Sequence, residues 1–128
     1  MAESEFLRGA SLFDRGAFFE AHEAWEERWR VTPDAQERLF LQGLIQVAAA
    51  LHKLLVMGSP GPAARLFARA LAKLDASPAS SAAEHGFDLD GFREAIRRCA
   101  ADLDALREDR STIPVMLSAS PGEASPAS

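Results

Sequence analysis

Apolar residues in this chain recur three and four positions apart, and no alternating β-branched run of the kind a strand needs is present. Ala, Leu, Glu and Arg dominate, all of which favour helix. Five helices follow. The first spans about residues 4–14, with Phe6, Leu7, Ala10 and Phe13 on one side and Gly16 as the left-handed residue that ends it. The second spans about 17–30, so the short break predicts an antiparallel hairpin. The third starts at 33–34, with Thr32 as N-cap and Pro33 in the first turn, and continues to Met57, where Gly58 stops it. The fourth follows Ser59-Pro60 and lines up Leu66, Phe67, Ala70, Leu71 and Leu74. Residues 76–86 are Ser/Ala/Pro-rich and read as a loop. The fifth spans 89–110, capped by Asp88, with Leu89, Phe92, Ile96, Cys99, Leu103 and Leu106 as a packed seam.

The fold class is therefore all-α: a single five-helix bundle over residues 1–110 with a buried central third helix, followed by a Ser/Pro-rich tail over 111–128. The distal tail, SASPGEASPAS, reads as disordered, and the IPVML segment before it as a candidate to dock on the body. No internal repeat recurs at a fixed period.

Two helices carry polar residues where apolar ones belong. On the second, with Phe18 as origin, Trp25, Phe18, Trp29 and His22 span about 340° to 40°, with Glu26 near 80° and Phe19 near 100°. His22 thus stands among three aromatics, and Glu26 is one turn on, at the spacing that lets the two side chains touch. Glu23 and Arg30 flank this stripe. The third helix is apolar around most of its circumference, which marks a central helix. Gln42, Gln46, Ala49 and Lys53 form a narrow polar stripe beside the line of Leu41, Ile45, Ala48, His52 and Leu55. Gly43 and Ala50 would admit a close neighbour.

A buried polar group costs a few kcal/mol unless paired. The two helices are therefore expected to pack together, with His22, Glu26, Gln46 and His52 in a shared, mostly buried network and Gln42 at its margin. The indole N–H groups of Trp25 and Trp29 also need acceptors, with Glu26 or a glutamine as the expected partner.

Composition narrows the function classes. The chain has 128 residues, 14 basic against 19 acidic side chains and a net charge of −5, a balance that points away from nucleic acid. Arg65, Arg69 and Lys73 recur every fourth residue, and Arg93, Arg97, Arg98 and Arg107 decorate the fifth helix, but no aromatics interleave to stack bases. These read as solvated faces. The single Cys99 reads as core in a reducing cytoplasm. The N-terminus lacks the pattern of a signal peptide, and polar residues within 39–57 argue against a membrane span. His85 reads as a solvent-exposed loop residue.

At the two polar motifs the chain resembles the bacterial and archaeal domain-of-unknown-function family 309. The residues that carry the resemblance are Arg15-Gly16, Phe19, His22-Glu23, Glu26 and Trp29, then Glu37-Arg38, Leu41-Gln42-Gly43, Ala48-Ala49 and His52, then Gly58 and Gly61. It covers about residues 5–75 and, loosely, the fifth helix. The resemblance implies a small all-helical fold and supplies no reaction.

Two functional readings remain. In the first, the chain is a non-catalytic helical module that binds a protein partner or a second copy of itself, with His22, Glu26, Gln42, Gln46, His52 and Trp29 as an internal polar network. In the second, His22, Glu26 and His52 hold a divalent metal or small ligand, with Glu23 as general base of a hydrolase. Two imidazoles and a carboxylate are suitable ligand types for zinc, iron or manganese, and would leave an open coordination position.

Overall fold

The structure, a computed structural model, describes residues 5–78 and 86–117. Within them lie six helices: α1 (Glu5–Asp14), α2 (Phe18–Val31), α3 (Ala35–Leu55), α4 (Pro60–Ala76), α5 (Leu89–Ala101) and α6 (Leu103–Glu108), then a 3₁₀ turn at Arg110–Thr112. No strand occurs among the described residues. The sixth helix arises because the predicted fifth one divides. Asp102 leaves the helical region (φ −148°, ψ 87°), and its carboxylate accepts from the Ala105 N–H at 3.0 Å, capping a new helix instead of continuing the old. The start of α3 also differs from expectation. Asp34 is its N-cap, accepting from Gln36 N–H at 3.0 Å. Thr32 instead ends α2, its N–H donating to Arg28 O at 3.0 Å. At the start of α4, Pro60 occupies the first turn, and the Ser59 side chain makes no cap hydrogen bond.

Gly58 (φ +66°) lets the chain reverse after α3, and the Ser59 N–H reaches back to Lys53 O at 2.8 Å. Gly16 (φ +81°) does the same between α1 and α2. α1 ends at Asp14 and α3 at Leu55, short of the expected Met57, so each predicted glycine stands in the turn just after its helix.

α3 is the axle of the bundle. Phe40, Leu41, Leu44, Ile45, Val47, Ala48, Ala50, Leu51 and Leu54 are all buried, so their positions run almost around the helix. α2 and α4 pack on α3, α1 packs on α2, and α5 packs on α4. Two glycines set the closest approaches. A Cβ on Gly9 would stand 2.3 Å from Trp25 Nε1, so α1 meets the indole edge with bare backbone, and that indole donates to Phe6 O at 3.1 Å. The acceptor is thus an α1 carbonyl, not the expected Glu26 or a glutamine. A Cβ on Gly43 would stand 2.7 Å from Leu74 Cδ2, so the close neighbour foreseen at this glycine is α4.

Phe87, just before α5, packs against Phe6, Phe40 and Phe92 and ties the last helices to α1 and α3. The Ile113–Leu117 segment docks: Met116 is buried, and the Asp14 carboxylate accepts from the N–H groups of Met116 (2.6 Å) and Leu117 (2.8 Å). Residues 118–128, expected to be disordered, lie outside the described residues, as do 79–85 and with them His85. Among the described residues, no helix is long and apolar enough to cross a membrane.

Two outcomes follow from this packing. In Gly9→Ala, a helix-propensity gain of about 0.5–1 kcal/mol is outweighed by an overpacking cost of about 1–3 kcal/mol, because the buried indole cannot retreat. Its melting temperature is expected to fall by several degrees, and by more than in Gly43→Ala, where Leu74 has other rotamers. Differential scanning calorimetry checks this, and an unchanged or raised Gly9→Ala midpoint contradicts it. Cys99 is buried on the α5 seam, with Sγ 3.6 Å from Thr112 O, and its burial pushes the thiol above its ordinary range. A raised value means less thiolate at any given pH, so native alkylation should stay slow through pH 8–9, where a free thiol ionises. Iodoacetamide labelling followed by mass reads this out, with denaturant restoring the fast rate.

Candidate functional site

The polar stripe of α2 stands at the edge of the core. Phe18, Ala21, Ala24 and Trp25 are the buried residues of this helix, so its inward face centres near Ala21 and Trp25. On the wheel, Ala21 falls near 300° and Ala24 near 240°. Weighting the aromatics moved the expected centre toward His22, while the small residues mark where α2 approaches its neighbours most closely. His22 and Glu26 consequently sit on the shoulder, with side chains 26% and 33% exposed.

There His22 Nε2 lies 3.7 Å from Glu26 Oε2, and Glu26 Oε1 accepts from Arg30 Nη2 at 3.3 Å. Phe19 contacts both imidazoles, stacking on His22 with ring centroids 5.9 Å apart and meeting His52 at 5.5 Å. Trp29 meets Arg38 ten residues further along α2, so the antiparallel register places Gln46 level with the turn between His22 and Glu26. His22 Nδ1 and Gln46 Oε1 are both buried without a hydrogen-bond partner. The structure therefore pairs His22 with Glu26 and sets His52 against Phe19. It shows no hydrogen bond from Gln46 to these groups. Among the described residues, no group of three His, Cys, Asp or Glu side chains stands close enough to hold a metal ion.

The remaining candidates are spread along the same edge. Trp29 and Gln42 line a shallow groove with Ala35, Arg38 and Leu39. Glu23 is exposed and makes no ion pair among the described residues; the nearby cations are engaged elsewhere, Arg30 with Glu26 and Arg38 with Trp29. A second groove of about 350 Å³ opens between the α1–α2 turn and the end of α3, lined by Gly16, Ala17, Phe18, Phe19, Glu20, His52 and Val56.

One cluster escaped the sequence reading. At the α2–α3 corner, Arg28 donates to both Glu37 oxygens (Nε 3.1 Å, Nη2 2.9 Å), and the Thr32 hydroxyl donates to Glu37 Oε1. The hydrogen bond to Glu37 holds the Arg28 guanidinium above its already high range. Beside it, Arg38 donates to Trp29 O at 2.7 Å and lays its guanidinium 4.3 Å from the indole centroid. These residues clamp the hairpin. Glu37 and Arg38 stood in the motif, but the signal that pairs them with α2 is spatial, because it depends on the tightness of the turn at 32–34.

Residues 6–66 match the family described as Domain of unknown function (DUF309). That stretch holds α1, α2, α3 and the start of α4, with every residue of the His22 and His52 edge, and it is shorter than the resemblance read above over 5–75. No curated protein matches the chain.

The unpartnered Gln46 oxygen generates a test. An unsatisfied buried acceptor carries a desolvation cost of about 1–3 kcal/mol. Gln46→Met keeps the length and removes the polar atom, so its melting temperature is expected to rise by a few degrees. A fall of similar size would mean that the amide has a partner in solution.

Proposed function

We propose that the chain is a non-catalytic helical interaction module that engages a protein partner through the groove at Phe19, His52 and Val56. The observation that carries this reading is that Phe19, 48% exposed, and Val56, 64% exposed, line the same groove. A lone exposed apolar residue is ordinary, but two facing one groove are a recognition feature. Burying one such side chain against a partner contributes about 1.5–3 kcal/mol, enough for an anchor. The Phe19 ring packs against the rings of His22 and His52, so less side-chain freedom is lost on binding.

A second reading, a small polar ligand or divalent cation taken by His22, Glu26 and His52 with Glu23 as base, is favoured by one observation: the unpartnered His22 Nδ1 beside the His22–Glu26 pair. A zinc or manganese thermal-shift titration tests it, because wild type would then be stabilised and His22→Ala would not.

The first reading is tested by selecting a random peptide library on immobilised wild-type protein. Peptides with an apolar anchor are expected to enrich and to lose at least about tenfold in affinity, some 1.4 kcal/mol, on Phe19→Asp. Binding to both proteins alike, or no enrichment, contradicts it. Circular dichroism checks that Phe19→Asp remains folded.

A further inference from the structure

The outward face of α4 has no partner within the described residues. Ala64, Ala68 and Ala72 are exposed at four-residue spacing, with exposed Arg65 and Arg69 and half-buried Lys73 directly alongside. None of these three cations makes an ion pair or side-chain hydrogen bond among the described residues, and they stand in one row on one helix. The result is a flat strip of methyl groups flanked by a basic ridge.

The complementary surface is on the same molecule. α2 carries Glu20, Glu23 and Glu27 on its exposed side, and Glu20 and Glu23 make no ion pair among the described residues, while Glu27 holds Arg8 at 2.7 Å. Seven residues from Glu20 to Glu27 and eight from Arg65 to Lys73 span about 10.5 and 12 Å at 1.5 Å per residue, so the ridges match in length. α2 and α4 both pack on α3 and form no extended contact with each other, so the two ridges cannot neutralise one another within one molecule.

We infer that the occupant of the α4 face is a second copy of this chain, whose α2 ridge sets Glu20, Glu23 and Glu27 against Arg65, Arg69 and Lys73. The alanine strip lets the incoming helix lie close. The contact is heterologous, one face against a different face, so it propagates copy by copy unless a ring closes. Exposed ion pairs are individually weak and screened by salt. The association therefore belongs to low ionic strength and high protein concentration, and it needs no contact from Phe19, although Glu20 also lines the Phe19 groove.

Sedimentation velocity tests this across a protein concentration series at about 20 mM and about 300 mM salt. At low salt the weight-average mass is expected to climb toward roughly twice the monomer or beyond, and to return to monomer at high salt. Arg65→Glu/Arg69→Glu, with two acidic ridges, and Glu20→Lys/Glu23→Lys, with two basic ones, should each stay monomeric alone and associate when mixed. Arg15→Glu/Arg107→Glu, which carries the same net charge as the first variant, should still associate, as should Phe19→Asp. A wild-type mass that stays monomeric at low salt overturns the inference. So does undiminished association of Arg65→Glu/Arg69→Glu, or a mixture that remains two monomers.

Discussion

The constraint that organises this molecule is the nearly continuous apolar circumference of α3. A helix of that kind is stable in water only if other elements cover it, and α2 and α4 do so directly. α1 and α5 then cover the outer sides of those two helices. The line through Gln42, Gln46, Ala49 and Lys53, with His52 beside it, is left half-covered. The edge holding His22, Glu26 and His52 is in this sense what remains after the core has been satisfied.

The register of α2 on α3 is set at the closed end of the hairpin. Glu37 there is contacted by Arg28 through both oxygens and by Thr32 through its hydroxyl, and Arg38 covers Trp29 while donating to its carbonyl. A bidentate guanidinium–carboxylate pair is directional, so it fixes rotation as well as distance. Ten residues along α2, that registration delivers Phe19 to His52. The open edge inherits its geometry from a clamp at the far end, which gives Glu37 and Arg38 a physical role although they touch neither imidazole.

Much of this was legible in the sequence for identifiable reasons. Periodicity located α1 to α4, the central place of α3 and the core seam through Ile96 and Cys99, since each depends on spacing alone. Gly16 and Gly58 marked turns because few other residues adopt positive φ readily. The break at Asp102 was not legible, because an aspartate within a helical pattern is equally compatible with an exposed helix position. The pairing of Trp25 with the α1 backbone needed the knowledge that Gly9 faces it. At the candidate site the sequence brought the right two helices together and placed His22 beside Glu26. It put them too deep, because Ala21 and Ala24 turn the inward face of α2 away from His22 while Phe18 and Trp25 stay within it.

The Asp14 carboxylate that receives the N–H groups of Met116 and Leu117 joins positions more than a hundred residues apart. The α1–α2 and α2–α3 hairpins are local and can form early, whereas this closure must wait until nearly the whole chain is available. During synthesis the first two helices therefore meet the third while Met116 is still unmade, and the end of α1 stays unsealed until the last turn arrives. Chains truncated before Met116 would leave the α1 end uncovered and the first-made helices intact, which separates the order of assembly from the order of residues in the finished core.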